Sequence, residues 1–277
     1  MPKSDLYMYR YFIIFFVFQL INFHVYSQEL NYFGDLTQGG LIRGKVGEGT
    51  KIFLDEKPIK VSRDGLFIFG FGRNHSKESI LKIIYKDGVI EEKVLNIKKR
   101  EWETQKINNL PSKMVTPSKE SLEIIRNNNI AISLARNIDT NEIWFMDNFI
   151  WPVKGTITGT YGTKRILNGQ TKQPHYGIDI AAPRGTKILA PARGRVSLSD
   201  TNHYYTGGTI ILDHGHGLST AYLHLNKLNV LVGDEVQKGE VIGYVGSTGR
   251  STGAHLDWRV NWFKVRIDPQ LIVNEKM

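Results

Sequence analysis

The chain contains no cysteine. That absence excludes disulfides, a lipid-modified N-terminal cysteine and thiol chemistry, and it confines any metal site to histidine and carboxylate ligands. Long apolar runs are also scarce. The only prominent one, Tyr11 to Ile21, follows Lys3 and Arg10 and is short for a free-standing membrane span. Val25-Tyr26-Ser27 closes it with small or branched residues at the positions a signal peptidase reads. Residues 1–27 are therefore expected to be a secretory signal. The remainder is expected to be exported, to the periplasm or cell envelope, and membrane-anchored if the segment stays uncleaved. No later run is long and apolar enough to cross a membrane.

What the chain has in excess is positive charge, a formal +9 over 277 residues. Such a balance suits an anionic polymer. Export argues against nucleic acid and leaves lipid headgroups and wall polymers. Charged and apolar fractions are ordinary for a globular protein, and the length allows one large domain or two modest ones.

Along the chain, residues 38–98 read as short strands between turns. Leu41 to Val46, Lys51 to Leu54, Ile59 to Val61 and Leu66 to Phe69 are separated by Gly, Asp or Pro. Lys86-Asp87-Gly88 lies between two further strands as a hairpin signal. This spacing suggests a small β-sandwich-like accessory domain, with His75 as an exposed loop residue. Residues 99–147 read as a polar linker and a connecting helix. The helix would be capped by Thr116, with Pro117 at its first position, and would run to Arg136 with Leu122, Ile125 and Ile132 near one face. From 148 to 277 the pattern becomes Gly-rich strands. The expected fold class is mainly β.

Six of the eight histidines lie between 175 and 255. His175 and Asp179 are four apart, which on a strand puts both on one face. In Gly253 to Val260, His255, Asp257 and Arg259 alternate with Leu256, Trp258 and Val260, a polar face backed by an apolar one. Tyr222-Leu223-His224 repeats the device, with Tyr222 and His224 facing together. Three such polar faces can converge on one metal ion. Two other stretches mimic known sites. Gly246 to Gly253 resembles a phosphate cradle but lacks the Gly-Lys-Ser/Thr ending and leads into a strand, so it reads as a loop at the rim of a groove. Val232 to Glu240 resembles a lipoyl-type hairpin without its acceptor and reads as an ordinary β-turn.

The segments PHYGIDIAAP, ILDHGHGLSTAYLHL and VGDEVQKGEVIGYVGSTGRSTGAHLDW together resemble the M23 (lysostaphin- or LytM-like) peptidases over residues 150–270. The resemblance implies a β-sheet-rich metallopeptidase domain with a groove, Zn²⁺ as cofactor and peptide bridges of cell wall as substrate. It also makes the N-terminal β-rich segment and helix look like the accessory region of some exported members. By the same resemblance His175 and Asp179 are the first two metal ligands, and His224 and His255 the two histidines that handle protons and stabilise charge. The third ligand is normally the second His of an H-x-H, and here that position is Asp257.

Three readings of Asp257 follow. It is a true ligand, and the less positive metal polarises water less and favours harder ions slightly more. Or His214 or His216 supplies the third nitrogen. Or the site is inactive and retained for binding, as in an activator that docks on a cell-wall amidase or on peptidoglycan. The expected mechanism for an active site uses His255 as general base and His224 to stabilise the oxyanion.

Overall fold

The computed structural model describes residues 30–108 and 116–273, so the expected signal at 1–27 lies outside the described residues. Among those described, strands dominate and no helix is long and apolar enough to cross a membrane.

Seven strands come first: β1 (Asn31–Gly34), β2 (Leu41–Lys45), β3 (Lys51–Leu54), β4 (Lys57–Ile59), β5 (Leu66–Gly70), β6 (Glu78–Ile84) and β7 (Ile90–Asn96). They pair as two antiparallel sheets, in the orders β1-β2-β5 and β4-β3-β6-β7. Alternation along β6 buries Ser79, Leu81 and Ile83, and the two aliphatic side chains pack with Ile42, Ile52, Phe67 and Phe69 in a core of their own. The hairpin at Lys86-Asp87-Gly88 forms, with Ile84 paired to Ile90. His75 is not a free loop residue. It is half-buried, its Nε2 lies 2.6 Å from Ser79 Oγ, and its ring lies against Phe71.

The stretch after residue 98 is more structured than a linker. It carries β8 (Thr104–Ile107), followed by the helix α1 (Lys119–Arg136). Ser118, not Thr116, caps the helix: its backbone is extended and its Oγ accepts from the Ser121 amide at 3.3 Å. The cap sits after Pro117, so the proline precedes the helix. The helix packs on strands of the C-terminal sheet through Ile132 and Ala135, whereas Leu122 is half exposed.

The C-terminal part holds β9 (Thr156–Gly159), β10 (Lys164–Leu167), β11 (Gln170–Lys172), β12 (Ile178–Ala181), β13 (Lys187–Leu189), β14 (Gly194–His203), β15 (Gly207–Asp213), β16 (Leu218–Leu225), β17 (Lys227–Leu228), β18 (Glu235–Val236), β19 (Val241–Tyr244), β20 (His255–Trp262) and β21 (Val265–Ile267). The main sheet runs β18-β14-β15-β16-β20-β12-β9, with β21 on the edge of β20. One face is closed by a core containing Ile178, Ile180, Leu212, Tyr222, Leu256, Trp258 and Val260. Each such side chain contributes roughly 2 kcal/mol through removal from water. A second small sheet, β11-β10-β8, stands beside it, and its β8–β10 ladder is parallel.

The N-terminal sheets are tied to this part by buried polar contacts. Arg43 Nη1 donates to the carbonyls of Phe145 and Asp147 at 3.2 and 3.0 Å, and Arg100 pairs with Asp268 at 2.8 Å.

Candidate metal centre

The site begins with strand register. β12 and β20 are antiparallel neighbours, and their ladder sets Asp179 directly opposite Asp257. Two carboxylates at such a position repel, and burial makes the repulsion worse. Asp257 is 2% exposed and Asp179 only slightly more open. The arrangement needs cations, and the structure supplies two from the protein. Arg165 Nη2 donates to Asp179 Oδ2 at 2.8 Å. Arg259 Nε and Nη2 donate to Asp257 Oδ1 and Oδ2 at 2.9 and 2.6 Å. Burial alone would raise the Asp257 carboxyl, but the Arg259 guanidinium and then His175 hold it well below the usual carboxylate range. Burial likewise opposes ionisation of Asp179, and the adjacent His175 imidazole, with the Arg165 guanidinium behind it, keeps it lowered despite Asp257.

His175 completes the group, though not from a strand. β12 starts at Ile178, and His175 lies in the preceding loop, held by its amide to the Thr163 carbonyl at 2.9 Å. Its Nε2 still comes within 3.1 Å of Asp179 Oδ1. Both atoms are buried and neither has a hydrogen-bond partner in the protein. His175, Asp179 and Asp257 each offer one donor atom, all within 4.8 Å of one another. Ligands about 2.0–2.1 Å from a tetrahedral ion stand roughly 3.3 Å apart, so orphaned donor atoms at this spacing fit a divalent metal. The arginines bind the carboxylates without using every lone pair, which leaves capacity for the ion.

His224 and His255 stand beside this set, with ring centroids 4.9 Å apart. His255 Nδ1 lies 2.9 Å from the Gly253 carbonyl, and its Nε2 is 3.7 Å from Asp179 Oδ1. His224 Nδ1 lies 2.8 Å from the Thr248 carbonyl. In a neutral ring each carbonyl acceptor fixes the proton on Nδ1, which leaves Nε2 as the lone-pair acceptor. Burial pushes His224 down to about 4, with His255 reinforcing the shift and Asp257 opposing it.

His224 reaches the site against simple alternation. Tyr222 pairs with Trp258 and is fully buried in the core on the opposite face. Strict alternation would send His224 there too, but its φ of +67° breaks the pleat and returns the ring to the groove. Tyr222 is therefore not a site residue. His214 and His216 are also elsewhere. His214 donates from Nδ1 to the Arg193 carbonyl (2.7 Å), accepts at Nε2 from Thr220 (2.8 Å) and packs on Phe149. His216 packs on Phe145. Neither joins the His175 group, and His203 sits at the end of β14 near Asp200.

A groove of about 380 Å³ opens over the centre, with the 250–253 loop on its rim and Gln105 of β8 and Leu167 of β10 on its wall. Arg165 had no spacing signal to the acidic residue it binds. Its strand was marked only by Asn168-Gly169, the type of dipeptide that turns a hairpin, with φ of +47° and +77° here.

Residues 173–269 match Peptidase family M23. Over 109 residues the chain is 38% identical to Peptidoglycan DD-endopeptidase ShyA of Vibrio cholerae serotype O1, covering 39% of this chain and 25% of that protein. Over 89 residues it is 45% identical to DD-carboxypeptidase/endopeptidase Mpg of Neisseria meningitidis serogroup B, covering 31% and 20% respectively. The match thus spans a fifth to a quarter of these relatives. A solved peptidase M23 homologue from Pseudomonas aeruginosa superimposes with a TM-score of 0.65 at 25% identity, covering 86% of this chain and 95% of that one. Residues 173–269 of the chain are a Peptidase family M23 domain.

Proposed function

We propose that the chain is an exported zinc metalloendopeptidase that hydrolyses the peptide cross-bridges of peptidoglycan. The observation that carries this reading is the convergence of His175, Asp179 and Asp257, orphaned donors included, beside two imidazoles that both present Nε2. The name of one relative, a peptidoglycan DD-endopeptidase, supports the substrate, and that of another, a DD-carboxypeptidase/endopeptidase, supports the reaction.

His175 Nε2 and one oxygen each of Asp179 and Asp257 would hold the ion. Zinc bound there supplies Lewis acidity toward the scissile carbonyl and lowers the pKa of a bound water. The protein does the rest. His255 Nε2 takes the proton of the attacking water and returns it to the departing amine. His224, held low by burial, would donate from Nε2 to the substrate oxygen after taking up a proton from solvent, an uptake that the negative charge building there favours. Arg165 and Arg259 fix the two carboxylates in orientation, the outer-shell role that carboxylate ligands require.

Digestion of purified sacculi with and without a zinc chelator tests this. New cross-bridge ends that vanish with chelator are expected. The rival, a non-catalytic activator of a cell-wall amidase, predicts no cleavage with zinc or manganese supplied, no metal retention, and stimulation of an added amidase.

A further inference from the structure

The strand face that carries the metal ligands does not end with them. On β20, Arg259 and Asn261 extend the polar face of His255 and Asp257, and helix α1 lies over the neighbouring strands through Ile132 and Ala135. Between helix and sheet is a cavity of about 30 Å³, bordered by Arg136 of the last helical turn, Arg259, Asn261 and Arg266, with Ile211 and Leu223 as apolar wall.

Three guanidiniums border this space and no carboxylate does. Asp257 answers the charge of Arg259 through two hydrogen bonds. Arg266 has no such partner. Burial alone pushes it down to about 10, and its Nη1 donates to the side-chain amide of Asn261 at 2.6 Å, the residue opposite it in the β20–β21 ladder. A guanidinium can only donate, so the amide atom it meets is Oδ1 and the other end of that amide is a donor. That donor, Asn261 Nδ2, is fully buried and has no partner in the protein, and the same holds for Arg136 Nε. Thr206 and Thr209, the other polar residues of the lining, bond to one another at 2.7 Å and satisfy neither.

Orphaned donors under net positive charge favour an anion over a water, whose own hydrogens would need acceptors in turn. Space sets the size. One water needs roughly 10–15 Å³ of such a cavity, so a monatomic ion fits, whereas a phosphate or a lipid headgroup does not.

We propose that the cavity between α1 and the sheet is a binding site for chloride or a similar halide, held by Arg266, Arg136 and Asn261 Nδ2. The ion links the last turn of α1 to β20 and β21 and so fixes the helix on the sheet. The site is independent of the hydrolase reading and stands whether or not the metal centre cleaves a peptide.

Thermal melts of the full chain in sodium chloride and in sodium gluconate at equal ionic strength, each with and without zinc, test it. Chloride at about ten times its Kd should raise Tm by about 3–6 °C in both metal states. Asn261→Asp keeps the bond from Arg266 and puts a carboxylate oxygen where Nδ2 stood, a fixed negative charge in place of the ion. That variant should melt no lower than the parent in gluconate and lose most of the response to chloride. Bromide soaked into crystals should give an anomalous peak in the cavity of the parent and none in Asn261→Asp. Equal melting of the parent in the two salts, a chloride response seen only with zinc, or one that survives Asn261→Asp overturns the proposal. Absence of the bromide peak from the parent does so too.

Discussion

Arg259 grips Asp257 with two parallel hydrogen bonds, 2.9 and 2.6 Å, from two residues along the same strand face. A bidentate pair of this kind fixes the plane of the carboxylate as well as its charge. It also means that Asp257 stays ionised in the buried site before any metal arrives. Replacing the guanidinium by an apolar side chain, as in Arg259→Met, should destabilise the metal-free chain by about 3 kcal/mol, the cost of leaving one partner of a buried pair uncompensated. Zinc brings back positive charge, so the loaded form should lose less. Thermal melts of parent and variant, each with and without zinc, would show a wider gap for the variant. Equal losses in both forms would mean that Arg259 matters only for packing.

The ligand assignment makes a sharper demand. Asp257→Ala should abolish zinc retention measured by metal analysis after dialysis, because two remaining protein donors hold the ion too weakly. Full retention would sink Asp257 as a ligand.

A subtler change leaves every ligand in place. An alanine Cβ at Gly159 would lie 2.3 Å from Asp179 Oδ2. The obstructed atom is the end of a side chain, so the carboxylate turns and the backbone survives. Gly159→Ala is expected to fold normally by circular dichroism and to bind zinc about tenfold or more weakly, as disturbed outer-shell geometry does. Unchanged affinity by competition with a fluorescent chelator would show that the orientation of Asp179 is unimportant.

Proton transfer separates from metal binding. His255→Ala should keep its zinc and lose hydrolysis by about 10²–10⁴-fold, the usual contribution of a general base. Loss of the metal together with activity would place His255 among the ligands instead.

Acid should weaken the fold through His214. Burial pushes this fully enclosed imidazole down to about 4, against the hydrogen bond it donates to the Arg193 carbonyl, which raises it. The unfolded chain takes up the proton near pH 6.5 and the folded chain does not, so the neutral ring's stabilisation is complete above about 6.5. It is lost as pH falls from there to about 4, about 3 kcal/mol in all. Chemical denaturation at steps across this window should show the decline, and His214→Gln should make it shallower, with His216 and His224, also held near 4 by burial, supplying the rest. A variant that follows the parent slope would assign the acid sensitivity to other groups.

The strand-borne half of this site could be read in the sequence because it obeys local rules. Alternation from His255 to Val260 put Asp257 on the polar face and Trp258 in the core, as found. The turn at Lys86-Asp87-Gly88 was equally legible. What escaped was non-local or against the local rule. His175 reaches Asp179 from a loop, so the two side chains meet for a different reason than the strand argument supplied. The positive φ of His224 reverses the side to which period-two logic assigns it. Arg165 meets Asp179 only after a hairpin folds, and no spacing announces that contact. The polar run after residue 98 contained no alternating pattern, and β8 becomes a strand because β10 offers it a parallel edge.

That last pairing means that the segment leading to the M23 domain is itself part of the groove's architecture. A fragment excised at residue 148 would retain His175, Asp179, His224, His255 and Asp257 yet strip β10 of a neighbour and remove Gln105 from the wall. Bare ladder groups would then face water beside the bound peptide and compete to pair with it as an added strand. Substrate preferences measured on such a trimmed piece would describe a different cleft from the one the full chain presents.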